Sequence, residues 1–339
     1  MVGFRLMGPL SEYTGYAVGL KGIIRKLEQR KQVDFDLYTF RDIQTRDPDI
    51  LEIFEREKRN FSHLGVLVGF PDVLNYLPTR YKCVYTMYEM TDIPEKWKEN
   101  TRRANEIWVP CTFCAQVFSK YNKNIRIVKW GYNEEIFKPK RGKKKENEQF
   151  LFGSVGVMSK RKGVDVLVSA FEKAFNRDNN YRLIIKTRDT RYLPSIDSPM
   201  ITVIDENWRE DQLVDFYRKV DCIVQPSRGE GVSMVPLQAA GCGTPSIVTN
   251  FGGPADYCDD KGIFGIGYTH LSKPTGMLAK KGRWAEPNED ELVEKLRWIA
   301  DKQPKVKHRY EDWQLSNTVA DFEDAVKKAA YVYKKRGTM

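Results

Sequence analysis

The chain has 339 residues, of which 41% are hydrophobic and 30% charged. That length suits two domains better than one core, and the composition excludes a disordered or fibrous chain. No apolar run approaches the roughly 18 residues of a membrane span. The opening MVGFRLMGPL also lacks the basic start and apolar stretch of a secretory leader. A cytoplasmic protein is expected, with a peripheral place at a membrane left open.

The pattern along the chain alternates. FRLMG reads as a strand, and GYAVGLKGIIRKLEQRK as a helix that puts Ala17, Leu20, Ile23, Ile24 and Leu27 on one face. Lys21, Arg25, Lys26, Arg30 and Lys31 fall mostly on its other sides, so docking on anionic lipid is one reading and an ordinary surface helix the other. VDFDLYTF, LGVLVGF and YKCVYTMYE read as strands, PEKWKENTRRAN as a helix, EIWVP as a strand, TFCAQVFSKY as a helix and IRIVKWG as a strand. A polar, charged stretch follows and is read as a linker over 138–149. The pattern then restarts. FLFGSVGVM, YRLIIKT, MITVIDE, DCIVQPS and PSIVTN read as strands, with helices over GVDVLVSAFEKAF, REDQLVDFYRKV and VPLQAAGCG between them. EDELVEKLRWIADK and SNTVADFEDAVKKAAYVYKKR are late helices. Strand–helix alternation implies mostly parallel sheets covered on both faces.

The net charge of +10 is concentrated. Residues 138–145 hold six basic residues and no acid, residues 327–336 hold five, and the remainder sums to −1. A solvated linker and tail is one reading; a patch for anionic membrane or DNA is the other. Cys111 and Cys114 form a CxxC with no second pair and no histidine nearby, so they read as buried thiols at a helix start.

The most informative stretch is SRGEGVSMVPLQAAGCGTPSIVTNFGG. It follows a strand, and ligands of doubly wound sheets bind beyond the carboxyl ends of strands. Glu230 therefore stands at a ligand edge. The residues after it open a helix whose first N–H groups lack partners, a setting suited to a diphosphate. Gly229 and Gly231 leave room for close backbone approach.

These residues resemble the retaining glycosyltransferases of family 4, glycosyl transferases group 1. That family's pattern is an acid, Gly-aromatic-Gly, a second acid after seven residues in all, and a small-residue helix ending Gly-x-Pro. Glu230, Gly231, Pro236, Ala239, Gly243 and Pro245 match it. VGVMSKRKG is similar to the family's Gly-Arg…Lys-Gly signature at Gly156, Lys162 and Gly163, and YTGYAVGL is similar to its N-terminal glycine loop at Gly15. The resemblance implies the GT-B fold: two Rossmann-like domains facing each other across a cleft, over 1–137 and 150–312. A helix over 316–335 is expected to cross back to the first domain and bring the basic tail toward the linker.

The resemblance also implies a nucleotide-sugar co-substrate, UDP- or GDP-linked, with no metal and no other cofactor. Lys162 would hold the phosphates, and Glu230 would take hydrogen bonds from the sugar hydroxyls. Gly15, Gly156 and the backbone from Gly231 through Val232 and Ser233 to Met234 would line the donor. Three departures stand out. Val157 replaces an expected arginine, with Arg161 or Lys160 as stand-ins. Gln238 replaces the acid that meets the nucleotide ribose. Val232-Ser233 replaces aromatic-Gly. Where many members carry a histidine near the reacting sugar, this chain offers Glu89, Thr91 and Asp92; its histidines are His63, His270 and His308. Glu89 is therefore a candidate catalytic residue beside Glu230 and Lys162, with a loop hydrogen-bonding role as the alternative. The expected acceptor is a hydroxyl of a glycan, lipid-linked sugar or small glycoside. A hydroxylated base in DNA and a non-catalytic scaffold remain as alternatives.

Overall fold

The computed structural model describes residues 1–11, 14–140, 149–275, 281–308 and 310–337. Most of the basic linker, including Lys143, Lys144 and Lys145, lies outside the described residues. The chain divides into two compact units. The first comprises Met1–Tyr88, Asp92–Gly131 and the residues from Asp312 onward; the second comprises Glu89–Thr91 and Tyr132–Glu311.

The first unit begins with β1 (Val2–Met7), α1 (Gly15–Arg30), β2 (Val33–Tyr38), α2 (Pro48–Glu55), β3 (Leu64–Val68) and β4 (Tyr81–Tyr85). It continues through α3 (Glu95–Arg103), β5 (Glu106–Val109), α4 (Thr112–Ser119) and β6 (Ile125–Ile127). Its strands pair in the order β2-β1-β3-β4-β5-β6, every pair parallel. Burial on both faces explains the unbroken apolar run of β3, all of whose residues are buried. Both cysteines of the CxxC are buried, and the Cys111 sulfur caps α4 by accepting the Cys114 N–H at 3.4 Å.

The basic face expected for α1 is largely used up inside the unit. Lys21 is buried and donates to Thr45 at 3.5 Å. Arg25 pairs with Asp47, and Arg30 with Glu323. An amphipathic period places a residue on a side of the helix, but it does not say which neighbouring element covers that side.

The second unit comprises β7 (Phe150–Val155), α5 (Val164–Phe175), β8 (Tyr181–Thr187), β9 (Ile201–Asp205), α6 (Glu210–Lys219) and β10 (Cys222–Gln225). It continues through α7 (Met234–Gly241), β11 (Ser246–Thr249), β12 (Ile263–Ile266), the hairpin β13 (Tyr268–Ser272) and β14 (Trp284–Pro287), and α8 (Glu289–Lys302). Its main sheet runs β12-β11-β10-β7-β8-β9, again all parallel. Phe152, Phe171, Leu183, Cys222, Val224 and Ile247 form the centre of its core. Strand order reverses between β7 and β10, so the crevice beyond their carboxyl ends is the switch point where ligands of such sheets bind.

The last helix, α9 (Leu315–Gly337), belongs to the first unit and packs on α1. Phe322 is fully buried against Phe4 and, edge to face, Trp108, with ring centroids 6.1 and 5.4 Å away. The Thr318 hydroxyl accepts the Gly131 N–H at 2.7 Å. Glu323, 2% exposed, accepts from Arg30 at 3.1 Å on both carboxylate oxygens. The returning helix expected from the sequence is thus held by apolar packing and by a buried carboxylate with its own cation. Phe322→Ala should destabilise the first unit by about 3–5 kcal/mol. A shift of its urea transition by less than about 1 kcal/mol would show that α9 is dispensable to that core.

Candidate active site

At the switch point of the second sheet, two loops meet. One leaves β7 through Gly156 and Val157 to a tight turn at Lys160–Lys162; the other leaves β10 through Pro226 to Glu230. Their approach is close enough to dictate residue type. Gly163 has φ +67°, and a Cβ there would lie 1.9 Å from the Pro226 carbonyl oxygen. A third segment, after β4, also comes close: at Gly229 a Cβ would lie 2.1 Å from the Glu89 carbonyl oxygen. Only glycine lets these backbones pass.

The turn delivers two cations to one buried carboxylate. Lys162 Nζ lies 2.6 Å from Glu230 Oε1, and Arg161 Nη1 lies 2.9 Å from Oε2. Arg161 also donates to the Gly229 carbonyl at 2.6 Å. Burial pushes the Glu230 carboxyl up, but the Arg161 and Lys162 charges outweigh it and hold the group at about 2. For Arg161, burial works against the charge, while Glu230 and then Glu89 restore it, so its pKa is raised. Of the two stand-ins for the missing arginine, Arg161 meets Glu230 while Lys160 pairs with Asp165 at 3.3 Å. Val157 itself is 37% exposed.

Behind the turn lies a residue that the sequence did not single out. Arg228 is 3% exposed and engages almost every donor it has. Its Nη1 donates to the Lys160 carbonyl at 2.5 Å and to Asp165 at 2.7 Å, its Nη2 to Asp165 at 2.9 Å, and its Nε to Glu286 at 2.6 Å. Its own N–H donates to the Arg161 carbonyl at 2.7 Å, and its carbonyl accepts the Ala285 N–H at 2.8 Å. The one signal in the sequence was its place two residues before Glu230; nothing marked Glu286.

The expected phosphate-facing backbone opens α7. Ser233 is the N-cap at φ 60°, ψ 97°, and it makes no side-chain cap bond. Its third helical neighbour is Pro236, which has no N–H to offer. Among the described residues, the buried Ser233 hydroxyl has no hydrogen-bond partner. A non-glycine residue in this conformation carries strain that glycine would not. Two carbonyls preceding α7, those of Val232 and Ser233, both accept from the Tyr257 hydroxyl at 2.9 Å. Gln238 lies one turn into the helix, half-buried, with its carbonyl oxygen accepting from the buried Tyr217 hydroxyl at 3.1 Å.

Of the residues expected at the site, the second unit brings together Glu89, Gly156, Val157, Arg161, Lys162 and Glu230, followed by Gly231, Val232, Ser233, Met234 and Gln238. Gly15 opens α1 in the first unit, where a Cβ would meet nothing within 4 Å.

Residues 134–312, more than half of the chain, match the family model of glycosyl transferases group 1. The chain belongs to that family. An uncharacterized glycosyltransferase of Methanocaldococcus jannaschii is 31% identical over 183 residues, 51% of this chain and 43% of that protein. The capsular polysaccharide biosynthesis glycosyltransferase CapM of Staphylococcus aureus is 24% identical over 144 residues, 40% of this chain and 34% of that protein. The chain thus spans less than half the length of these curated relatives. Among solved structures, sucrose-phosphate synthase of Thermosynechococcus elongatus superposes with a TM-score of 0.66 at 13% identity, covering 100% of both chains. A glycosyltransferase of Rickettsia africae superposes with a TM-score of 0.67 at 13% identity, covering 98% of each. These likenesses establish the GT-B fold.

The Glu230 pKa sets a pH window. Its folded value, about 2, lies below an ordinary carboxyl value of 4.5. The stability it contributes is therefore complete above about 4.5 and lost as pH falls toward about 2. The expected loss is on the order of 3 kcal/mol. Glu230→Gln should remove that part of the acid limb. Equal acid sensitivity of the urea midpoints of the two proteins between pH 5 and 2 would contradict it.

Proposed function

We propose that the chain is a retaining glycosyltransferase that moves a sugar from a UDP- or GDP-sugar to an acceptor hydroxyl. The observation that carries this reading is a buried carboxylate held between two cations at a sheet switch point, next to a helix start. The bond between the anomeric carbon and the diphosphate breaks. The acceptor oxygen bonds to the same face of the sugar, and its proton passes to an oxygen of the leaving diphosphate. Negative charge grows on that diphosphate, so fixed positive groups aimed at it are the main source of rate. Arg161, Lys162 and the first amides of α7 are the groups in this chain suited to that task, and the scheme calls on no metal ion. Glu230 accepts from sugar hydroxyls and orients the ring. Glu89, near Arg161, is assigned to the reacting side of the sugar. The CapM name, with its capsular polysaccharide, supports a glycan acceptor.

Thermal shift with a panel of nucleoside diphosphates and their sugars tests the reading. A true ligand at 100 times its Kd stabilises by about 2.7 kcal/mol, or roughly 5–10 °C. Slow donor hydrolysis without acceptor should follow from the same ligand. No shift with any member of the panel would sink the proposal.

Gln238 allows a sharper test. With one lone pair of its carbonyl oxygen taken by Tyr217, its amide offers a ribose one remaining neutral acceptor site and two N–H donors. A carboxylate there would keep the Tyr217 bond and offer a charged acceptor to a ribose hydroxyl, worth about 1–2 kcal/mol more. Gln238→Glu should therefore tighten UDP or GDP roughly tenfold with little change in the chemical step. Calorimetry showing equal or weaker binding would remove Gln238 from the ribose site.

A further inference from the structure

We infer that Arg228 is a positioning residue for diphosphate binding: it ties the turn carrying Arg161 and Lys162 to the loop carrying Glu230. This rests on the donor site proposed above.

Arg228 does not itself face a ligand, since its side chain is 4% exposed. It acts on what flanks the two cations. Its guanidinium binds the carbonyl of Lys160, its backbone N–H binds the carbonyl of Arg161, and its fork closes on Asp165. Asp165 stands in the first turn of α5, directly after the cationic turn. The turn is thus held on both sides of Lys162. Glu286, on β14, takes the remaining charge-assisted bond and is itself steadied by the Ser272 hydroxyl at 2.6 Å.

The charges are sorted as well as placed. Arg228 and Lys160 are matched by Asp165 and Glu286, so this inner group is neutral. Burial alone would push the two acids up; the Arg228 bonds outweigh it at Asp165, and those of Ser272 and Arg228 together do so at Glu286, leaving both lowered. Asp165 and Glu286 are satisfied here, while Arg161 and Lys162 share a single carboxylate, Glu230. The clamp therefore holds the turn with acids that do not spend the two ligand-facing cations. A lysine cannot reproduce this, because one ammonium has neither the planar fork nor the reach to three acceptors at once.

The test measures UDP and GDP by calorimetry against the matching nucleosides, uridine and guanosine. For whichever diphosphate the wild-type protein binds, Arg228→Lys should weaken the diphosphate about tenfold and leave the nucleoside unchanged. Glu286→Gln, which keeps shape and one acceptor, should weaken it about threefold. If Arg228→Lys does not fold, Asp165→Asn takes its place. A general loss of stability would not discriminate between the two ligands. The second readout is coupling. In a Lys162→Met background the Arg228→Lys effect should shrink to roughly half its size, because the clamp works through that lysine as well as through Arg161, which remains. Full additivity, or equal weakening of nucleoside and diphosphate, overturns the clamp while leaving the donor site standing. Failure of the wild-type protein to bind either diphosphate overturns the donor site, and the clamp with it.

Discussion

A carboxylate with only 6% of its surface exposed stays charged only where cations stand against it. Glu230 has two, and that requirement organises its surroundings. The cations must come from a different loop, because the residues beside Glu230 in sequence are glycines. The two loops must pass within van der Waals reach, which fixes Gly163, while the Glu89 carbonyl of a third segment fixes Gly229. The turn must not drift, which is the work of Arg228. A buried ion group of this kind is weak evidence for stability, since apolar residues of similar size hold a core as well or better. Its retention makes sense where the charges meet something that the protein does not itself contain. The diphosphate of the proposed donor would be such a partner, and Glu230 would then compete with it for Arg161 and Lys162 until the sugar hydroxyls engaged the carboxylate.

The sheets explain where this group sits. Parallel strands deliver every strand end to one side, and the reversal of order between β7 and β10 leaves a crevice that no crossover helix fills. The loops after those two strands are the ones that carry Gly156, Arg161, Lys162 and Glu230. Site and topology are thus one fact. The same local rule, a strand ending in a glycine-rich turn that opens a helix, produced both the motif legible in the sequence and its position in space.

What the sequence did not reveal has physical causes. The two parallel sheets were legible because strands buried on both faces read as continuous apolar runs. The short elements α2 and β12 were passed over, the latter because Ile-Phe-Gly-Ile is too brief to show a period. Strand ends were overextended: YKCVYTMYE ends as a strand at Tyr85 and IRIVKWG at Ile127, since apolar residues continue into loops that are themselves buried. Lys21 and Arg30 were placed on an open face because the covering segments, the loop before α2 and the helix α9, lie elsewhere in the sequence. Arg228 was missed for a related reason. Its partners Asp165 and Glu286 come from 63 and 58 residues away, and no spacing rule connects them.

The departures from the family pattern acquire a common sense in the structure. Ser233 stands where glycine is expected and adopts the positive φ that glycine takes without penalty, at a steric cost. Gln238 stands where an acid is expected, and its neutral carbonyl oxygen accepts from Tyr217. Val157 leaves the second cation to Arg161, which arrives from the same turn as Lys162. In each case a residue expected from the family pattern is replaced, while a neighbouring group of this chain still presents a polar or charged atom or the positive-φ backbone. On the proposed donor site, lost charge at Gln238 would weaken ribose binding without disturbing the phosphates, because the two would be served by different parts of the site. The end proposed for the phosphates has two cations and close-packed glycines, and in that proposal it is there that bond breaking would develop charge.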